Sequence, residues 1–159
     1  MYKGWKVGFS GNYLNKFDEA GRLSLPAKMR EELRANFGND ALMAYSIGGI
    51  VKIHPKVIYD NKMKEMYEKA KANPEAFKLF RKLSASAYGI EINSSGRMNI
   101  PAQLRNAANL EDECYVIGAY DMIELWNKEK WLKEESDVDL TLDGNIDALS
   151  GFMDMIVSE

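Results

Sequence analysis

The sequence predicts an α+β protein of two similar halves, each running strand, turn, strand, helix, hairpin, joined by a helical linker. Three observations carry this. The stretch Asp18 to Arg30 returns 75 positions later as Asn93 to Arg105, in the shared frame D/N-x-x-G-R-x-x-x-P-A-x-x-R. Five of its 13 positions are identical, where average composition gives roughly one by chance. In both halves the motif is followed by two apolar runs around a turn, and residues 56–86 between the halves carry apolar side chains at helical spacing.

Residues 8–17 read as an extended segment entering the first turn, with Tyr13, Asn15 and Phe17 on one face and Leu14 and Lys16 on the other. An Asp or Asn with Gly three residues later marks a type I turn: the side-chain oxygen accepts from backbone two residues on, and Gly supplies the positive φ. A strand of four or five residues follows, with Leu23 and Leu25 on one face in the first copy and Met98 and Ile100 in the second. It stops at Pro26 or Pro101, which suits the start of a helix. The first such helix runs to Phe37 on the period of Met29, Leu33 and Phe37, and Gly38 closes it. Neither Leu25 nor Ile100 can cap the helix that follows, so its exposed N–H groups need another partner, a side chain, water or a phosphate.

Next comes a hairpin, Leu42–Ser46 and Ile50–His54 around Gly48-Gly49, matched in the second half by Cys114–Gly118 and Met122–Trp126. The linker is expected as two helices broken at Asn73-Pro74. Val57, Ile58, Met63, Met66, Tyr67 and Ala70 form the apolar side of the first, and Phe77, Phe80, Leu83 and Leu79 that of the second. Its lysines make the outer side basic, either a solvated face or one that guides DNA. A last helix begins near Lys128. Residues 137–144 are expected extended and acidic, and Ile146, Leu149, Phe152, Met153 and Ile156 then fall on one helical stripe.

Arg22 and Arg97 stand directly after the turn glycines. An arginine held out on a constrained backbone presents its planar fork to phosphate or to guanine edges. The alternative is an Asp18–Arg22 ion pair that only braces the turn. The second copy argues against it, because Asn93 makes the same turn but offers Arg97 no charge. Lys16 can join Arg22 at a phosphate or be a solvated strand lysine; its counterpart Glu91 would repel phosphate. Arg30 and Arg105, one turn into their helices, either contact DNA or bridge parts of the fold.

The doubled D-x-x-G-R-x-x-x-P-x-x-x-R motif, separated by a charged helical segment, resembles the MraZ family, bacterial regulators of the division and cell wall gene cluster. Each copy is similar to the swapped-hairpin half-domain of AbrB-type transcription factors, and the resemblance covers residues 1–135. It implies two such half-domains, 1–55 and 87–135, forming a pseudo-two-fold small β-barrel, with 56–86 as linker and 136–159 as an acidic extension without family counterpart. It also implies sequence-specific binding of double-stranded DNA with repeated short sites by a ring-shaped homo-oligomer, an octamer being expected. Asp18 and Arg22 carry over directly as DNA-site residues, with Arg97, Lys16, Arg30 and Arg105 beside them. Asn93 departs from the pattern, so equal contact by both copies is not implied.

Composition limits the alternatives. The chain has 46% hydrophobic and 28% charged residues, an ordinary globular balance. Its net charge of -3 is unevenly spread: residues 129–159 carry -7 and residues 1–128 carry +4. So weak a positive field per subunit gives poor DNA binding alone, which several copies on one repeated site overcome. A single cysteine, Cys114, excludes an internal disulfide and sits in an apolar run as a buried side chain. The lone His54 has no companion ligands, and there is no Gly-rich phosphate loop, nucleophile elbow or metal spacing, so no enzyme, metal or cofactor is expected. Met1–Lys6 lacks a signal-peptide core and no run could span a bilayer, which places the protein in the cytoplasm, nucleoid-associated and without membrane partners. A second function class stays open: a ring assembly or protein-interaction module that works through its C-terminal stripe.

Overall fold

A computed structural model describes residues 8–38 and 40–157. The Met1–Lys6 stretch read above for a signal peptide lies outside them. Among the described residues the chain is α+β, with eight strands and six helices. It divides into two compact units, Met1–Lys128 and Glu129–Glu159.

The first half supplies β1 (Asn12–Lys16), β2 (Arg22–Ser24), α1 (Ala27–Phe37), β3 (Leu42–Ile47) and β4 (Ile50–Pro55). The linker supplies α2 (Lys56–Ala70) and α3 (Pro74–Ala85). The second half supplies β5 (Tyr88–Ile90), β6 (Arg97–Asn99), α4 (Ala102–Ala107), β7 (Glu113–Gly118) and β8 (Ile123–Asn127). An antiparallel sheet runs in the order β1-β7-β8-β4-β3-β5, and β2 pairs with β6 in a separate ribbon. Exchanging the halves leaves the sheet order unchanged when read backwards. Apart from the two local hairpins, β3–β4 and β7–β8, every strand pair joins one half to the other. The halves therefore share one sheet and one core.

The strand after each motif turn is three residues long, shorter than the four or five expected. Leu25 and Ile100 lie beyond it, where their N–H groups bond across to the opposite turn: Leu25 to the Gly96 carbonyl at 2.9 Å and Ile100 to the Gly21 carbonyl at 3.3 Å. Pro26 and Pro101 then sit at the N-caps of α1 and α4, and no side chain caps either helix. α1 ends as expected, with the Gly38 N–H on the Arg34 carbonyl at 2.8 Å.

Strand alternation sends Leu23 and Met98 inward, both fully buried, each worth about 1.5–3 kcal/mol of apolar burial. They pack in one cluster with Met29, Leu33, Val51, Ile53, Ile123 and Leu125. Cys114 is in the same core, and burial pushes its thiol up to about 12. His54 is buried, with Nδ1 3.0 Å from the Asp121 carbonyl and Nε2 2.8 Å from the Tyr45 hydroxyl. A carbonyl only accepts, so Nδ1 carries the proton and Nε2 accepts from Tyr45. Burial lowers the His54 pKa, consistent with this neutral tautomer.

The linker breaks where expected, and Asn73 caps α3 by accepting from the Glu75 and Ala76 N–H groups at 3.0 and 3.1 Å. Its faces differ from the expectation. On α2 it is Ile58, Tyr59 and Ala70 that are buried, whereas Val57, Met66 and Tyr67 are exposed. α3 buries no residue fully, and Leu79 is 76% exposed. Amphipathic spacing marks an apolar stripe but not how much of it a neighbour covers. In the second unit, α5 (Lys128–Asp137) and α6 (Asp143–Val157) flank a short turn. The segment expected to be extended is thus largely turn and helix, because Asp139 Oδ1 accepts from the Thr141 N–H and hydroxyl at 2.9 and 2.6 Å and folds the chain back locally.

Glu32 on α1 is buried, and neither carboxylate oxygen finds a partner among the described residues. Burial raises its pKa, with Lys28 opposing and Glu31 adding to the shift. The fold therefore holds this proton more tightly than the unfolded chain does. Stability contributed by the protonated form falls as pH rises from the ordinary glutamate range through the raised folded value. Glu32→Gln is expected to stabilise the protein at neutral pH by about 1 kcal/mol and to flatten that decline, read from urea midpoints across the acid-to-neutral range.

Candidate nucleic-acid interface

Each motif turn is built by one side-chain oxygen. Asp18 Oδ1 accepts from the Ala20 and Arg22 N–H groups, both at 2.9 Å. The Gly21 N–H reaches the Asp18 carbonyl at 3.1 Å, and the Asp18 N–H reaches the Arg22 carbonyl at 2.9 Å. Asn93 repeats the pattern with Ser95 and Arg97, both at 3.0 Å, and its main chain closes on Gly96 and Arg97 at 3.0 and 2.9 Å. An amide oxygen thus replaces a carboxylate oxygen in both side-chain bonds of the turn. Gly21 and Gly96 have φ of 76° and 82°, a region costly for any residue with a Cβ.

A second constraint acts on the same glycines. A Cβ at Gly21 would lie 2.9 Å from Arg105 Nη2, and one at Gly96 would lie 3.0 Å from Arg30 Nη1. Each helix arginine therefore packs beneath the turn of the other copy. Arg30 Nη2 also donates to the Asn93 carbonyl and to Asp40 Oδ2, each at 3.4 Å, and Arg105 Nε donates to the Ile100 carbonyl at 3.0 Å. The final arginine of the repeated frame is explained by this crossed support.

Arg22 and Arg97 lie on the outer face of the β2–β6 ribbon. The register pairs Arg22 with Asn99 and Ser24 with Arg97, so these four polar side chains share the face opposite the buried Leu23 and Met98. The arginine side chains are 43% and 45% exposed. They are joined by one atom: Asp18 Oδ2 accepts from Arg22 Nε at 2.9 Å and from Arg97 Nη1 at 3.1 Å. Asn93 offers Arg97 no charge, but the ribbon pairing delivers the acid of the first copy to the arginine of the second, so both arginines are ion-paired. The Arg22 N–H first, then its guanidinium and the Ala20 N–H, hold the Asp18 carboxyl below its usual pKa. Lys16 is exposed at the end of β1, opposite Glu113 in the register. Ser24 and Asn99 were not singled out from sequence, although their two-residue spacing from the arginines places them on the same face.

Comparison with known proteins places this sequence in a family. A protein of Corynebacterium jeikeium called transcriptional regulator MraZ is 35% identical over 147 residues, covering 91% of this chain and 99% of its own. The chain belongs to the MraZ family. A MraZ of Corynebacterium kroppenstedtii is 33% identical over 93% of this chain and 99% of its own length, and one of Mycobacterium tuberculosis is 32% identical over 77% and 83%. The MraZ family model, described as "MraZ protein, putative antitoxin-like", matches residues 83–142, which include the second motif turn, β6 and α4. MraZ proteins are transcriptional regulators and not enzymes. No helix among the described residues of this MraZ chain is long and apolar enough to cross a membrane.

The crossed packing makes a specific stability prediction. Gly21→Ala and Gly96→Ala are each expected to cost about 1–3 kcal/mol from backbone strain alone. Combining Gly21→Ala with Arg105→Ala, or Gly96→Ala with Arg30→Ala, should give less than the sum of the single losses. The mismatched pairs should be additive. Urea denaturation of the single and double variants measures this.

Proposed function

We propose that the β2–β6 ribbon is the DNA-reading element of a sequence-specific transcription regulator. The observation that carries this reading is the pair of exposed guanidiniums held on one ribbon face by a shared carboxylate. A two-stranded ribbon fits the major groove. Arg22 and Arg97 take guanine edges or phosphates, Ser24 and Asn99 add neutral hydrogen bonds, and Lys16 contributes at the backbone. Asp18 orients both arginines, and Arg30 and Arg105 are positioning residues that keep the turns in place.

The crossed strand pairing supports a swapped-hairpin barrel of the AbrB type, closed within one chain by half-domains 1–55 and 87–135, with 56–86 connecting them. The +4 charge of residues 1–128 supports a ring-shaped homo-oligomer on tandem repeats, since a weak subunit gains grip from simultaneous contacts. By family, the target is the promoter of the division and cell wall cluster, and the protein works at the nucleoid in the cytoplasm.

Arg22→Ala and Arg97→Ala are each expected to lower affinity for a tandem-repeat promoter fragment by about 1–3 kcal/mol relative to random duplex, with the assembly mass unchanged. Asp18→Asn keeps the turn, as Asn93 does, and should raise affinity for random duplex while lowering the ratio between specific and random binding. Fluorescence anisotropy across a salt series measures all three. Wild-type protein that retains the promoter fragment no better than random duplex at low salt would refute the reading.

A further inference from the structure

Most of the exposed large apolar side chains among the described residues fall in two places, which are complementary in charge. The first is a groove of about 790 Å³ bounded by α2, α3, the end of β3 and α4. Ala70, Phe80, Leu83 and Leu104 line it. Ile47, Met66 and Leu79 also line it and are 48%, 39% and 76% exposed. Two cations, Lys69 and Lys82, stand among the lining residues. The second is α6, whose Ile146, Leu149, Phe152, Met153 and Ile156 are 43–62% exposed. That helix carries Asp143, Asp147 and Asp154 and no lysine or arginine.

An apolar helical stripe beside acids is the counterpart of an apolar groove beside lysines, and helix-in-groove docking is a recurrent way to cover both. Spacings of three and four residues set the stripe along about 15 Å of helix, within reach of a groove this size. The charge of the whole chain points to the same pairing, since residues 129–159 carry -7 and residues 1–128 carry +4. Two copies are thus attracted head to tail.

We propose that the groove receives α6 of a second copy of this chain. Each copy then presents one groove and one helix, a heterologous contact that repeats until rotation closes it. The inference goes beyond the DNA reading and requires none of it, while it assigns one contact to the assembly.

The test uses two full-length chains co-expressed, one with Leu79→Cys and the other tagged with Phe152→Cys. Both positions are exposed, and the native Cys114 is buried. Mild oxidation should give a mixed disulfide joining tagged and untagged chains, several-fold above a control in which Glu75→Cys replaces Leu79→Cys. Separately, Leu79→Glu sets an acid against the acidic helix and should lower the light-scattering mass by about half or more. A missing mixed disulfide overturns the proposal, as does an unchanged mass. DNA binding by the same variants, read in the Arg22 and salt experiments, reports separately on the ribbon.

Discussion

The architecture depends on an exchange between two copies of one turn. Leu25 bonds to the carbonyl of Gly96 and Ile100 to that of Gly21, while Arg30 and Arg105 fill the space beneath the opposite glycines. Each turn closes through its own bonds but is braced from the other half of the chain. This is why β2 and β6 form a ribbon apart from the main sheet, with one face committed to the core and the other to solvent. A local motif becomes a two-copy surface because its supports come from far away in sequence.

Electrostatics follow from the same exchange. Leu23 and Met98 anchor the ribbon from below, so the side chains on either side of them along each strand point outward whatever their charge. Two guanidiniums brought this close repel each other, and Asp18 offsets that repulsion by accepting from both. The carboxylate has a second task in the turn, where its other oxygen accepts backbone N–H groups. One residue therefore couples backbone shape to the spacing of the cations.

Local features were legible in the sequence, and long-range ones were not. The turns at Asp18 and Asn93, the Gly48-Gly49 hairpin, the end of α1 at Gly38 and the break at Asn73-Pro74 each rest on bonds within a few residues, so residue type was sufficient. The pairing of β1 with β7 and of β3 with β5 was not legible, because short strands with similar alternation do not specify which partner they meet. The Asp18–Arg97 contact spans 79 positions and follows only from that pairing. Arg30 and Arg105 read from sequence as either DNA contacts or bridges within the fold; their packing against the opposite glycines is a contact that no local rule connects to them. The α2 face differs from the sequence expectation at Tyr59, which is buried, and at Val57 and Met66, which are exposed, because periodicity reports a stripe, not its cover.

Duplication gave the ribbon a two-fold pattern, yet Asn93 stands where an exact copy would have Asp. A surface with true dyad symmetry meets a double helix identically whichever way it is turned. Here one end of the ribbon holds the carboxylate and the other an amide, so the two ends are chemically distinct. The face has a head and a tail, and a polymer laid along it has a forward and a reverse direction.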